Sequence, residues 1–153
     1  MEKTKLTIEL VPQTCHYKNL RSDLPRSQWD LLRRDCYKKA NYCCEVCGGK
    51  GFQHPVECHE IWDYNDKKHI QKLVGLISLC PACHEVKHIG LAQVRGNYDR
   101  ALKHLMRINK WTEEDAEVYV EVAFETYMQR SLHEWKSDIS IVEKMLEEIK
   151  NEK

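Results

Sequence analysis

The sequence holds no apolar run approaching the roughly 20 residues that cross a bilayer as a helix. A membrane-spanning helix is therefore not expected. The first residues, Met-Glu-Lys-Thr-Lys-Leu, lack the apolar core of a targeting leader. No internal repeat and no low-complexity stretch is present, which argues against a solenoid or a repetitive linker. Net charge is absent too: 24 Lys plus Arg balance 24 Asp plus Glu. That balance hides a split. Residues 1–110 carry 19 basic and 12 acidic side chains, a net of +7, and residues 111–153 carry 5 and 12, a net of −7. A basic body with an acidic tail is compatible with a nucleic-acid face on the body. It is equally compatible with a glutamate-rich surface helix at the C-terminus.

Cysteine, by contrast, is plentiful. Eight Cys without a leader point to a reducing cytoplasm and to metal binding rather than disulfides. Four of them form two Cys-x-x-Cys knuckles, Cys44/Cys47 and Cys80/Cys83, with 32 residues between. A tight turn brings the two thiolates of a knuckle together, and two knuckles complete a tetrahedral structural Zn2+ site. Cys43 adjoins Cys44, but the three-residue step to Cys47 favours Cys44. His84 and His88 follow the second knuckle at i and i+4, so a helix places them on one face, able to share a second ion. His59, on a short apolar run between the knuckles, is the third donor expected there.

These residues resemble the HNH endonuclease family, whose core is a ββα-metal unit. Glu57-Cys58-His59-Glu60-Ile61 lies on the family's Glu-apolar-His-His-Ile motif. Gly75-Leu76-Ile77-Ser78-Leu79-Cys80-Pro81-Ala82-Cys83-His84 lies on its Asn-Leu-x-x-Leu-Cys-x-x-Cys-His motif, and His88 takes the last place. The resemblance spans residues 44–88. It implies a ββα-metal core stapled by four Cys; with an N-terminal helix and a C-terminal helical hairpin read from the residue pattern on either side, the expected fold class is α+β. It also implies a catalytic divalent ion, Mg2+, Mn2+, Ni2+ or Zn2+, on His59, His84 and His88. In the family the first His of the pair binds metal and the second is the general base. Those places hold His59 and Glu60 here, so a carboxylate would take the proton. Shifting the register by one makes His59 the base and Cys58 the ligand; the unshifted register also matches Glu57 and Ile61. Gly75 stands where the family has Asn.

Three segments are expected: residues 1–43 with a strand and a basic helix, 44–90 with the metal core, and 91–153 as a helical extension. Residues 5–11 alternate apolar and polar, a strand pattern stopped by Pro12. Residues 12–26, with Pro12 and Pro25, read as irregular. A helix over 27–40 is predicted, capped by Ser27, stopped at Asn41, with Trp29, Leu32, Cys36 and Tyr37 inward. Its outer face carries Arg33, Arg34, Lys38 and Lys39, candidate phosphate contacts or simply solvated charge. Gly48, Gly49 and Gly51 free the turn after the first knuckle. Strands are predicted over 55–64 and 73–79 around a polar loop. A helix over 91–108 is set off by Gly90, and its pattern is weakened by Gly96. Another starts at Thr112, with Trp135 on its apolar stripe. From Ile139 the tail is either a last helix or a partner-binding segment. Cys15 and Cys36 read as core or loop thiols, and His54, His69 and His104 as surface histidines.

Two functions follow. One is a metal-dependent endonuclease that hydrolyses DNA phosphodiesters. The other is an HNH-derived binding protein without the chemistry, recognising nucleic acid or, through the C-terminal helices, a protein.

Overall fold

The computed structural model describes residues 4–50 and 55–152; Gly51 and His54 lie outside the described residues. The fold is mixed α+β. Helix α1 (Leu20–Asp23) and helix α2 (Arg26–Lys39) precede an antiparallel hairpin of β1 (Glu57–Asn65) and β2 (Ile70–Leu79). Then come α3 (Pro81–Lys87), α4 (Ile89–Val94), α5 (Tyr98–Asn109) and α6 (Glu113–Arg130). A short strand β3 (Lys136–Asp138) joins β2 in parallel, and α7 (Ile141–Asn151) ends the chain. Among the described residues no helix is long and apolar enough to cross a membrane.

The hairpin register runs from Glu57 opposite Leu79 to Asn65 opposite Ile70, with a bulge between Ile61 and Trp62. Its turn is closed by the Asn65 side chain, which accepts from the Lys67 and Lys68 amides at 3.1 and 3.0 Å. His69 adopts φ +53° there and stacks on His133, with ring centroids 4.1 Å apart, instead of standing free in solvent.

Two cores lie on the two sides of this sheet. One joins Leu79, Val86, Ile89, Leu105 and Val120, with Leu6 against them. The other joins Leu20, Leu32, Leu73 and Val142. Successive side chains of a strand point to opposite faces. Glu57 and His59 therefore meet α3, while Cys58 and Glu60 meet α2 and α1.

Several expectations are corrected. Residues 5–11 form no strand. Leu6, Ile8 and Leu10 do pack on the first core, as their alternation implied. Their backbone is satisfied by side chains and a helix carbonyl instead of a ladder. The Leu6 amide donates to Asn109 Oδ1 at 2.9 Å, and the Glu9 amide donates to the Lys87 carbonyl at 3.1 Å. Helix α2 begins at Arg26 behind Pro25, and Ser27 does not cap it. Asn41 (φ +53°) and Tyr42 (φ +60°) do end it. The break after α3 falls at His88, not Gly90, which lies inside α4. A Cβ on Gly90 would meet Phe124 Cε1 at 3.5 Å, so close packing is what this glycine serves. Gly96, at φ +78°, divides the predicted 91–108 helix into α4 and α5. Thr112 caps α6 as expected, accepting from the Asp115 amide at 3.1 Å. Trp135 lies beyond that helix, buried, with its indole N–H donating to the Arg130 carbonyl at 2.8 Å. The tail is a helix, packed on α2.

Candidate metal centres

The four knuckle cysteines converge where β2 enters α3. Cys80 caps α3, its sulfur accepting from the Cys83 amide at 3.4 Å, and Pro81 occupies the first turn. In the other knuckle Cys44 Sγ accepts from the Cys47 amide at 3.5 Å, and Gly48 turns the chain at φ +79°. Glu45 ties this knuckle to the sheet: its amide donates to the Ser78 carbonyl at 2.8 Å, and its carboxylate accepts from the Ser78 amide at 2.6 Å.

All four sulfurs lie within 4.8 Å of one another. Cys47 and Cys80 are 3.6 Å apart at sulfur. A disulfide is about 2.05 Å long. Two thiolates on one tetrahedral Zn2+ stand about 3.8 Å apart, from Zn–S bonds of ~2.3 Å. The set therefore fits a shared ion and could hold one. Cys43 points elsewhere, its sulfur toward the Asn41 carbonyl at 3.4 Å. A hydrogen bond from the Cys83 thiol pulls Cys44 down to about 4 against the effect of burial. The same bond, with burial, pushes Cys83 up.

His104 is a correction. It is buried, with Nε2 3.2 Å from Cys83 Sγ. Arg107 Nη2 lies 2.7 Å from His104 Nδ1. A guanidinium only donates, so Nδ1 accepts and Nε2 carries the proton. His104 thus donates to the Cys83 sulfur, the orientation that supports a metal-bound thiolate. No ligand spacing in the sequence signals this contact across 21 residues.

His59, His84 and His88 form the second cluster. Their ring centroids are 4.9 to 5.3 Å apart, and one donor nitrogen from each lies within 4.8 Å of the others. His84 Nδ1 is 2.5 Å from Glu57 Oε2. An Nδ1–H donated to that carboxylate leaves Nε2 as the free donor, an arrangement typical of metal-bound histidine. Burial holds His59 below its ordinary value, and pushes His88 down to about 3. Both imidazoles are therefore neutral near pH 7 and present lone pairs. His59 is 4% exposed, and its Nε2 is buried without a hydrogen-bond partner. One ring nitrogen of His59 stands with those of His84 and His88 as the ligands of a cation would.

Glu9 is a neighbour that no motif in the sequence points to. Its Oε1 lies 3.6 Å from His59 Nε2, and its Oε2 pairs with the buried ammonium of Lys87. Burial raises the Glu9 carboxyl, but His59 and Lys87 outweigh that and hold it at about 2. The only signal is a charged residue within an alternating segment, which reads as the wet face of a strand.

The other candidates are not gathered here. Glu60 Oε1 accepts from the Leu20 amide at 3.1 Å on the opposite face of the sheet, where burial pushes its carboxyl up to about 7. Cys58 shares a hydrogen bond with Cys36 on that same face, which raises its pKa. Gly75 pairs with Ile61 beside the bulge, and a Cβ there would make only an ordinary contact at 3.9 Å. Of the basic quartet on α2, Arg33 binds Asp30 at 2.8 Å and Lys39 binds Asp35 at 2.9 Å, while Arg34 and Lys38 are exposed. All four lie on the helix that covers the Glu60 side of the sheet, away from the histidines. No family model, curated protein or solved structure matches this chain.

Proposed function

We propose that the chain is an HNH-type endonuclease, a ββα-metal unit that hydrolyses DNA phosphodiesters with a divalent ion at His59, His84 and His88. The convergence of three imidazoles beside a separate four-thiolate cluster carries this reading. The thiolates are enough to staple a small core with zinc. A second donor set is what hydrolytic chemistry adds.

In this reading His59, His84 and His88 bind, and Glu57 fixes the ring of His84. A divalent ion at that site stabilises charge growing on a scissile phosphate and makes bound water more acidic. Residues 1–110, with their net +7, draw the DNA. Glu60 is not within the histidine cluster, so its carboxyl serves as proton acceptor only if β1 shifts on binding DNA.

That placement of Glu60 also supports a second reading, a metal-stapled binding module that has given up cleavage. Plasmid nicking separates the two. Supercoiled DNA should be nicked with at least one of Mg2+, Mn2+, Ni2+ or Zn2+, and His84→Ala should abolish nicking while leaving the fold and the thiolate-bound zinc in place. An inert wild type with all four ions, still binding DNA, establishes the module instead.

A further inference from the structure

We propose that the outer face of α5 is the surface that grips the phosphate backbone of duplex DNA. This rests on the reading that the chain binds DNA, and it holds with or without cleavage. Residues 95–110 carry five basic side chains, Arg95, Arg100, Lys103, Arg107 and Lys110, and one acidic one, Asp99. Their net of +4 is more than half of the +7 of residues 1–110. A stripe of cations along one helix is the electrostatic footprint of a nucleic-acid contact.

The helical period sorts these side chains. At about 100° per residue, Arg100, Lys103 and Arg107 fall within an arc of about 60°. Ala101, Leu102 and Leu105 take the other side, buried in the core with Val86, Ile89 and Val120. Lys110 continues the row at the left-handed end of the helix, at φ +57°. All four cations are exposed. From Arg100 to Lys110 the row is roughly 15 Å long. A duplex carries about one phosphate charge per 1.7 Å of its axis, more than the row can neutralise.

Within the protein this charge is largely unopposed. Arg100 is paired, its Nε and Nη2 donating to Glu85 at 3.0 and 2.6 Å. Arg107 donates to an imidazole, His104 Nδ1, which brings no negative charge. Among the described residues Arg95, Lys103 and Lys110 form no ion pair. On α2, by contrast, Arg33 and Lys39 already have carboxylate partners, and Glu152 of α7 comes close to Lys39. The position of α5 also differs. It packs on α3, and Arg100 pairs with Glu85, the residue after His84. DNA held on α5 therefore lies on the histidine side of the sheet, unlike DNA held on α2.

Fluorescence anisotropy of the full chain with two duplexes of unrelated sequence, over a salt series, tests this surface. Lys103→Ala with Lys110→Ala replaces exposed side chains outside both metal clusters and should keep the melting temperature. The slope of log affinity against log salt should fall by about 0.9 for each lysine removed. The fall should be the same for both duplexes, because phosphate contacts carry no sequence information. In wild type, saturating duplex should suppress chemical acetylation of Lys103 and Lys110, read by mass spectrometry; this arm needs no variant. If wild type binds DNA while the variant keeps its slope and both lysines stay reactive, α5 is not the contact and the DNA reading stands. A wild type that binds neither duplex even at low salt overturns both.

Discussion

Four consecutive residues of β1 do four different things, and strand alternation is the reason. Glu57 orients His84 and His59 joins the cluster on one face; Cys58 and Glu60 bury against the other. Glu60 has a consequence of its own. Its carboxyl sits near 7 in the fold against an ordinary value of 4.5. A carboxyl raised in this way favours the folded state while protonated. That contribution is complete below the unfolded value and is lost as pH rises through the folded one. Glu60→Gln keeps an acceptor for the Leu20 amide and cannot ionise. Between pH 4.5 and 7 wild type should lose stability relative to this variant. The difference should reach about 1–3 kcal/mol in urea denaturation. Parallel profiles for the two proteins would show that Glu60 ionises there without penalty. At this scale the metal donors are legible in the sequence, because knuckles and an i, i+4 pair are local. Glu9 and His104 are not, because their partners are distant: Glu9 meets Lys87, and His104 meets Cys83, only once the chain is folded.

Elements with a strong local code are legible: α2 from its apolar stripe, α6 from its Thr112 cap, and the hairpin from its two β-rich runs. Segments 5–11 and 136–138 are not. The first has a strand pattern but meets Asn109, Tyr119 and Lys87 instead of a strand edge. The second is three residues long, too short to carry a pattern, and exists because Ile70–Lys72 offer an open edge. The knuckles are elements of a different kind, joining the loop after α2 to the start of α3. Cys80 is both a donor and the cap of α3, whereas Cys47 is exposed and its sulfur accepts from the amide of the loop residue Gly49. Cys47→Ala should therefore lose zinc and lower the melting temperature, and Cys80→Ala, which leaves the Cys83 amide without an acceptor, should lower it further. The added loss is roughly 1 kcal/mol, the usual worth of an N-cap. Elemental analysis and thermal melts check both. Full zinc content and an unchanged melt in either variant would mean that the thiolates hold no structural ion.

Across the whole molecule, the charge split has a physical location. The acidic tail is not a free arm, because Val142 is buried with Leu20, Leu32 and Leu73 under the sheet. Glu152 reaches Lys39 at 3.7 Å, so α7 brings acid directly to the basic helix α2. Deleting the tail would uncover that core and mix a folding defect with an electrostatic one. Charge substitution is the cleaner probe. If α2 contacts phosphate, Glu148→Gln with Glu152→Gln should tighten DNA binding at low salt, since both acids lie in the field of Lys39. Arg34→Ala with Lys38→Ala should weaken it, and the slope of log affinity against log salt should fall by about 0.9 for each phosphate no longer neutralised. The histidine cluster lies on the far side of the sheet from α2. A straight duplex does not touch both faces without wrapping around the edge, so these four basic residues would then anchor DNA away from the place where the proposed endonuclease would cut it. Nicking by His84-intact Arg34→Ala/Lys38→Ala protein should recover at saturating DNA, because the variant removes binding and leaves the metal ligands untouched. If affinity and salt slope are unchanged in both pairs of variants, α2 is a solvated face and the DNA contact belongs to the surface around α3.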